Sequence, residues 1–385
     1  MKEIRLNQYK SILLISSEFP PGPGGIGNVG YNLANQLQLN GIKTKVLTIS
    51  DYVEKVDEEI FDAKVNFDIV RFRRYKSRIK TYRKRIKKIL QTLKKEDFTH
   101  IIFSGRFSLL TSLLLRKYRR NISFIAIGHG AEINSSFTVE KKLIDKALRE
   151  MDLIIPVSNF TRSKLSPSIP GEKIVVIPNG FDIENINEIK IKERSEGSGS
   201  SLGLVTVGTV WPRKGQHNVI NALPKIMESF DKVTYNVIGR PVDLSKIDKN
   251  IEKKYSENIK LHGPLPNEEM YKILNDSDIF LMLSESRSDG DFEGFGIAVI
   301  EANYFGLPAI GSKNSGIEDA INNGVSGIIV NPGDPDEISE AVKTIMKNYS
   351  RFSEGARQWA IQHHWSNIIK RYIKAIDLIT DKDKP

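Results

Sequence analysis

Two glutamates separated by seven residues are the side chains of this sequence best suited to bind hydroxyl groups. Glu293 stands in a polar loop, and Glu301 lies about two turns into the apolar helical pattern that follows. An ionised carboxylate on an apolar helix is destabilising unless it accepts strong hydrogen bonds, which the two hydroxyls of a ribose can donate. The turn Gly294-Phe295-Gly296 exposes N–H groups that suit a phosphate. The spacing predicts that one carboxylate holds a sugar and the other a nucleoside.

Two adjacent cations, Arg213 and Lys214, stand where a predicted buried strand gives way to a long helix. Positive charge at a helix N-terminus is unfavourable with the helix dipole. A bound diphosphate would resolve this conflict, because it pairs with both cations and accepts hydrogen bonds from the first N–H groups of the helix. The alternative is a solvated basic turn.

Gly24 and Gly25 lie in a glycine-rich loop, residues 17–27, between the first predicted strand and a helix. Glycines let the backbone approach a ligand closely, and the helix N-terminus again offers N–H groups to a phosphate. Glu18, at the start of the loop, is a candidate for the acceptor side. A purely structural turn would explain the glycines equally well.

The same loop fits a second chemistry. The pattern Gly22-x-Gly24-x-x-Gly27, with Asp51 near the end of the next strand, matches a dinucleotide-binding fingerprint. Several residues, two of them prolines, separate the strand from the first glycine, which is too long for the tight turn of that fingerprint. An NAD(P)-dependent oxidoreductase stays open as an alternative on this motif.

Four further polar residues stand in loops after predicted strands: His129, Asn179, Arg287 and Asp291. His129 lies between two glycines at the carboxyl end of a strand, where α/β proteins bind ligands. The other three are candidates for the cleft or the acceptor side. Asp291 belongs to an Asp-x-Asp pair, but no histidine or cysteine cluster accompanies it. We therefore expect no metal ion and no cofactor besides the substrates.

Short apolar strands alternate with helical patterns twice along the chain, which is typical of parallel βαβ sheets. The predicted strands are Ile12–Ser16, Thr44–Ile49, Ile69–Phe72, His100–Phe103, Phe124–Ile127, Leu153–Val157, Ile174–Ile177, Gly203–Gly208, Thr234–Ile238, Asn258–Leu261, Ile279–Leu283, Pro308–Gly311 and Gly327–Val330. A polar, Gly/Ser-rich linker is predicted at 190–201. We expect an α/β protein of two doubly wound, Rossmann-like domains, 1–189 and 202–365, facing each other across a cleft. A helix at 366–385 could pack back on the first domain.

In this order the motifs resemble the retaining glycosyltransferases of family 4, which have the GT-B fold. The resemblance covers nearly the whole chain and is most specific from Gly203 to Val330. The family's E-x7-E pattern is met by Glu293 and Glu301, which implies that the first binds the donor sugar and the second the ribose. Its phosphate lysine is met by Lys214, and its central histidine, which approaches the transferred sugar, by His129.

One position departs from the family pattern. The arginine that usually stands five residues before the phosphate lysine is replaced here by Thr209. Arg213 could supply the missing charge, although an arginine at a helix start and one at a strand end point differently. Phosphate binding is therefore assigned to Lys214 first and to Arg213 second.

The resemblance implies a metal-independent hexosyltransferase. It would move a hexose, with retention of configuration, from a GDP- or UDP-linked donor to a glycan or lipid-linked acceptor in cell-surface polysaccharide or glycolipid synthesis. The stretch around Glu293 is most similar to mannosyl-transferring members, so mannose is favoured over glucose or N-acetylhexosamine. A nucleotide-sugar 2-epimerase is a further alternative, but it would leave the E-x7-E pair unexplained.

The net charge of +10 comes from one segment of the 385-residue chain. From Arg71 to Lys95 there are 13 Lys or Arg and no acid, and subtracting them from +10 leaves −3 for the rest. Apolar residues recur there at spacings of three and four, a helical stripe. The segment predicts either a helix with a solvated basic face or docking to an anionic membrane. No nucleic-acid module accompanies it, so we expect no nucleic-acid partner.

The composition, 39% hydrophobic and 27% charged with no cysteine, suits globular domains in a reducing compartment. The first residues lack the apolar core of a signal peptide. We therefore expect a cytoplasmic protein. If the basic segment docks to a membrane, it would attach peripherally to the inner face of the plasma membrane.

Overall fold

The computed structural model contains two α/β units, each built on one six-stranded sheet. It describes residues 10–22, 24–50, 53–133, 137–182, 191–192, 201–287 and 290–380. Within these, the first unit takes residues up to 157, 161–177 and those from 365 onward, and the second takes 158–160 and 178–364.

The sheet of the first unit is parallel throughout, in the order β3-β2-β1-β4-β5-β6. Its strands are β1 (Ser11–Ser16), β2 (Lys43–Ser50), β3 (Asp68–Arg73), β4 (His100–Ser104), β5 (Ser123–Gly128) and β6 (Leu153–Pro156). The helices of this part of the chain are α1 (Gly25–Leu39), α2 (Lys55–Asp62), α3 (Arg78–Lys95), α4 (Arg106–Ser112), α5 (Thr138–Arg149) and α6 (Asn159–Ser163). Strand β1 is apolar at consecutive positions and almost fully buried, as expected for a parallel sheet covered on both faces.

The sheet of the second unit repeats this plan in the order β12-β11-β10-β7-β8-β9, again with parallel pairs. Its strands are β7 (Ser201–Val207), β8 (Lys232–Ile238), β9 (Ile259–Gly263), β10 (Ile279–Met282), β11 (Ala309–Ser312) and β12 (Gly327–Val330). The helices that follow these strands are α7 (Gln216–Ile226), α8 (Lys249–Lys254), α9 (Asn267–Asp276), α10 (Ile297–Tyr304), α11 (Ile317–Ala320), α12 (Pro335–Lys347) and α13 (Tyr349–Gln362).

Two predicted segments differ from the structure. The segment Ile174–Ile177 forms no strand and makes only an isolated bridge, from Ile174 to Ile154. The predicted linker falls outside the described residues except for 191–192 and Ser201, and Ser201 already begins β7.

The last helix, α14 (Trp365–Thr380), belongs to the first unit although the chain reaches it from the second. It packs against α1 and β6. Its inner face is apolar and includes the fully buried Trp365 and Tyr372. Polar contacts complete the attachment, since Lys10 donates to the Asp377 carboxylate and Arg371 Nη2 donates to the carbonyl of Val176 at 3.0 Å.

Candidate active site

The side chains predicted to bind a phosphate and a sugar follow β7 and β10, which are neighbours in the second sheet. The carboxyl ends of these strands meet at the point where the strand order reverses, and open α/β sheets bind ligands there. A short 3-10 helix, Pro212–Lys214, follows β7 and leads into α7. The loop that contains Glu293 follows β10 and leads into α10.

Arg213 and Lys214 converge on a single carboxylate oxygen. Arg213 Nη1 donates to Glu293 Oε2 at 2.7 Å, and Lys214 Nζ donates to the same atom at 2.5 Å. Asp291 lies on the other side of Arg213, with its Oδ2 2.9 Å from Arg213 Nε. The four side chains therefore form one charge cluster. In it the guanidinium of Arg213 lies beside the ammonium of Lys214, although Arg213 does not occupy the family's usual arginine position.

The pKa of Glu293 reflects this cluster. Burial alone would raise its pKa, but the charges of Lys214 and Arg213, and the hydrogen bonds that they donate, outweigh burial and lower the pKa to about 2. Glu293 is therefore ionised at any physiological pH. In the absence of ligand it neutralises the cations that a diphosphate would also contact.

The loop before Glu293 is fixed by Glu285, which the sequence prediction missed. The backbone N–H of Glu285 donates to the carbonyl of Arg213 at 2.9 Å. Its carboxylate accepts from Asn218 Nδ2 at 3.1 Å and from Lys246 Nζ at 2.7 Å. This acid ties the loop after β10 to helix α7. The one available signal was its position directly after a buried strand.

Gly215 sets the distance between the two loops. It has a positive φ of 74°, and a Cβ added there would lie 1.8 Å from the carbonyl oxygen of Leu283 at the end of β10. Only glycine allows helix α7 to begin this close to β10.

Gly215→Ala is therefore expected to lower the free energy of unfolding by about 2 kcal/mol, because the new methyl group clashes with the backbone and the residue is strained. Chemical denaturation of both proteins measures this effect. Gly333→Ala is the matched control, since its added Cβ would meet only an ordinary contact at 3.9 Å. Equal stability of the two variants would contradict the proposed close packing.

Glu301 lies in the middle of α10 and has a different environment. Among the described residues it has no ion-pair or hydrogen-bond partner, and burial raises its pKa to about 7. Glu301 acts electrostatically on Tyr271. Burial raises the pKa of Tyr271, and the charges of Glu301 and Asp182 raise it further, to about 12. A partly buried carboxylate without a donor has capacity to accept hydrogen bonds from a ligand.

The predicted glycine turn precedes α10 as expected. Gly296 stands immediately before the helix, which has no side-chain cap. Gly296 has no side chain that could accept a hydrogen bond from the first N–H groups of this helix. The ring of Phe295 is buried against His363, with centroids 5.9 Å apart. Phe295 can therefore contact a ligand only through its backbone. The carbonyl of Glu293 accepts from the N–H of Gly316 at 2.9 Å, which fixes the turn.

Two other predicted residues of the second unit have distinct surroundings. The guanidinium of Arg287 lies over the ring of Trp211, 5.2 Å from its centroid. Asn179 is 7% exposed, and its Oδ1 has no hydrogen-bond partner among the described residues. Asn179 Oδ1 is thus an acceptor buried without a described partner, whereas Arg287 is held against an aromatic ring.

His129 lies at the carboxyl end of β5 in the first unit. Its Nε2 is hydrogen-bonded to Ser104 Oγ at 2.8 Å, and its backbone N–H donates to the Glu132 carboxylate. Burial lowers the pKa of His129 to about 4, so the imidazole is neutral at pH 7. Burial also raises the pKa of Glu132 to about 6, against the effect of backbone hydrogen bonds. The sequence prediction did not include Ser104 or Glu132 among the site residues.

Glu18 and Gly24 contact each other in the glycine-rich loop of the first unit. A Cβ at Gly24, whose φ is 145°, would lie 2.2 Å from Glu18 Oε2, so this position requires glycine. Burial raises the pKa of Glu18. Gly25 begins helix α1. Asp51, on which the dinucleotide alternative depends, lies outside the described residues.

No group of three or more His, Cys, Asp or Glu residues that could hold a metal ion occurs in the described part of the chain. Asp289, the partner of Asp291 in the Asp-x-Asp pair, lies outside that part.

The fold is similar to those of solved glycosyltransferase structures. Crystal structures of HepE from Anabaena in complex with UDP match with a TM-score of 0.73 at 17% identity, over 96% of this chain and 99% of that one. A glycosyltransferase from Rickettsia africae matches with a TM-score of 0.72 at 17% identity, over 98% of this chain and 100% of that one. The two parallel-sheet units thus have the GT-B fold.

Two family models together span most of the sequence. The model described as "Glycosyltransferase Family 4" matches residues 23–185, and the one described as "Glycosyl transferases group 1" matches residues 188–359. The chain belongs to the family 4 glycosyltransferases, and it is an enzyme of the hexosyltransferase class. These matches favour the glycosyltransferase interpretation over the oxidoreductase and epimerase alternatives.

Curated relatives agree with this assignment. The amylovoran biosynthesis glycosyltransferase AmsK of Erwinia amylovora is 30% identical over 54% of this chain, and the match spans 52% of AmsK. The GDP-mannose-dependent alpha-(1-6)-phosphatidylinositol monomannoside mannosyltransferase of Mycolicibacterium smegmatis is 25% identical over 91% of this chain and 94% of its own length.

Proposed function

We propose that the protein transfers a hexose, with retention of configuration and without a metal ion, from a nucleoside-diphosphate donor to a glycan or lipid-linked acceptor. GDP-mannose is the favoured donor, because the relative that matches over 91% of this chain is named as GDP-mannose-dependent. UDP-linked glucose or N-acetylhexosamine is the alternative. The acceptor would belong to cell-surface polysaccharide or glycolipid synthesis, as the names of the relatives suggest.

The observation that carries this proposal is the convergence of Arg213 and Lys214 on one oxygen of Glu293. During transfer, negative charge develops on the leaving diphosphate while the anomeric carbon becomes electron-poor. Two positioned cations and the uncapped start of α10 would stabilise that charge without reorganisation. Glu293 would then bind the hydroxyls of the transferred sugar, and Glu301 those of the ribose.

The reaction itself needs no protein nucleophile in this proposal. The acceptor hydroxyl attacks the anomeric carbon as the bond to the diphosphate breaks, and a phosphate oxygen of the leaving group takes the hydroxyl proton. His129, which is neutral at pH 7 because burial lowers its pKa to about 4, would donate or accept a hydrogen bond near the sugar without adding charge.

A thermal-shift panel of GDP, UDP, ADP, NAD and NADP tests the donor class. A ligand at 100 times its dissociation constant adds about 2.7 kcal/mol of stability, which is a visible shift. Stabilisation by GDP or UDP that persists in EDTA, followed by release of that nucleotide from GDP-mannose or UDP-glucose, supports the proposal. Stabilisation by NAD or NADP and by none of the nucleoside diphosphates would overturn it.

We propose that helix α3 binds an anionic membrane surface. In a cytoplasmic protein this surface would be the inner face of the plasma membrane. The predicted apolar stripe is only half buried: Ile89 and Leu93 pack into the core, whereas Ile79 is 72% and Tyr82 46% exposed among exposed cations. No helix in the described ranges is long and apolar enough to cross a bilayer. Each basic residue near an anionic surface contributes about 1 kcal/mol, and the exposed apolar side chains would insert.

Ile79→Gln is expected to weaken binding to anionic vesicles about tenfold, because one apolar side chain no longer enters the lipid. Flotation with phosphatidylglycerol vesicles measures the effect. Leu39→Gln is the control, since Leu39 is also exposed on the first unit but lies at the end of α1. Equal binding of the wild type to neutral and anionic vesicles, or binding to neither, would defeat the membrane proposal.

A further inference from the structure

A basic pocket lies in the first unit, beyond the residues considered so far. It has a volume of about 530 Å³, which is within the usual range for ligand sites. Its lining is Ser50, Val53, Glu54, Lys55, Arg73, Arg74, Tyr75 and Lys76. Among the described lining side chains four are cationic and one is acidic, so together they favour an anionic ligand.

The sheet places this pocket at its carboxyl edge. Ser50 and Arg73 are paired in register at the ends of β2 and β3, so the two strands end side by side. Ligands of open α/β sheets bind at this edge. The pocket lies to one side of the β1–β4 junction, where the strand order reverses. None of its described lining residues belongs to the loops that carry Glu18 and His129.

Two acids near the pocket are committed to other partners. Glu58 is buried and accepts from Ser50 Oγ at 2.6 Å. Asp62 binds Arg71 through both Arg71 Nε, at 3.0 Å, and Arg71 Nη2, at 2.7 Å. Neither carboxylate is available to neutralise the pocket. Of the lining cations, Lys55 pairs with Glu59 at 2.7 Å, whereas Arg73 and Lys76 have no acidic partner among the described residues.

The backbone that carries these cations is held in place. Thr81, which is buried, accepts from the N–H of Tyr75 at 2.9 Å and donates to the carbonyl of Ser77 at 3.0 Å. These hydrogen bonds fix the turn between β3 and α3. Arg71 also joins β3 to the glycine-rich loop, since its Nη2 donates to the carbonyl of Pro20 at 2.6 Å. The cations therefore lie on a preformed surface and not on a free loop.

We propose that the basic pocket binds the phosphate or diphosphate of the acceptor substrate. This inference rests on the proposed function, because it assigns the anion to the molecule that receives the hexose. The donor diphosphate has its own cations on the second unit. A second anion site on the first unit selects an acceptor whose sugar is attached to a phosphate, either as a lipid-linked sugar diphosphate or as a soluble sugar phosphate.

The test is calorimetric titration of inorganic diphosphate into the full-length protein that is saturated with GDP, or with UDP if that is the nucleotide that binds. The saturating nucleotide occupies the donor site, so the remaining binding reports the basic pocket. Arg73→Gln/Lys76→Gln is expected to weaken this binding about tenfold. The control Lys141→Gln/Lys142→Gln removes the same charge from exposed positions of α5 outside the pocket and should bind like the wild type.

Two further titrations distinguish the source of the phosphate. Glucose 1-phosphate stands for a soluble acceptor, and phosphatidylcholine vesicles that carry undecaprenyl diphosphate stand for a lipid-linked one. Either response supports the proposal if Arg73→Gln/Lys76→Gln removes it and Lys141→Gln/Lys142→Gln does not. Absence of all three responses, or equal binding by both double variants, would overturn it. If GDP and UDP also fail to bind the wild type, the proposed function fails first; if one of them binds, only the acceptor assignment fails.

Discussion

Glu293→Gln is expected to reduce hexose transfer about 1,000-fold and, at the same time, to bind the nucleoside diphosphate product about tenfold more tightly. Transfer is lost because a carboxylate that contacts the sugar is gone. Binding improves because Glu293 occupies Arg213 and Lys214 in the unliganded protein. Its removal leaves two cations without their shared anion, and the diphosphate can take that place.

Single-turnover kinetics and calorimetric titration of GDP and UDP measure the two effects. The free energy of unfolding should fall without ligand and recover with the nucleotide, because two partly buried cations that lose their shared carboxylate are destabilising. Lys214→Gln is the matched comparison and should weaken both transfer and nucleotide binding. A folded Glu293→Gln protein with nearly normal transfer would remove Glu293 from the site. Weaker nucleotide binding by that variant would mean that Glu293 orients the cations and does not compete with the ligand.

Glu301→Gln is expected to weaken nucleotide binding about 100-fold at pH 8, because two charge-assisted hydrogen bonds to the ribose are lost. The same variant should be more stable than the wild type at that pH. Burial raises the pKa of Glu301 to about 7 from its ordinary 4.5, so the folded state binds the proton more tightly than the unfolded state. Wild-type stability from this group is thus fully present below pH 4.5 and is lost as the pH rises through 7.

Glutamine lacks this dependence. The stability advantage of Glu301→Gln should be about 3 kcal/mol at pH 8 and near zero at pH 4. Thermal unfolding at both pH values, with and without GDP or UDP, measures it. An advantage of equal size at both pH values would show that packing, and not ionisation, separates the two proteins.

The strands were largely predictable because each is a short apolar run between turn signals. The exception, Ile174–Ile177, is apolar in sequence, but it forms a single bridge to β6 rather than a ladder. Apolar character alone does not distinguish a strand from an extended segment that packs on the edge of a sheet. Helix α3 was predictable because its apolar residues recur at spacings of three and four. The exposure of the side chains in its N-terminal half was not predictable, because it depends on which neighbouring elements pack against them.

The site was predictable in its residues but not in its contacts. Sequence spacing drew attention to Glu293 and Lys214 separately, yet the ion pair between them joins positions 79 residues apart. Glu285 escaped notice because it belongs to no motif, although its hydrogen bonds to Asn218 and Lys246 hold the loop. Glu293 accepts hydrogen bonds from two cations, whereas Glu301 accepts none from the described residues. This contrast likewise arises only from tertiary structure.

The attachment of α14 to the first unit affects the order of folding during protein synthesis. Ribosomes add about 5–20 residues per second, and domains tend to fold as they emerge. The sheet of the first unit is made first, yet Trp365 and Tyr372 fill its core from the end of the chain. The second unit, complete at residue 364, can therefore finish folding before the first. Until α14 emerges from the ribosome, the faces of α1 and β6 that it covers remain open to chaperones.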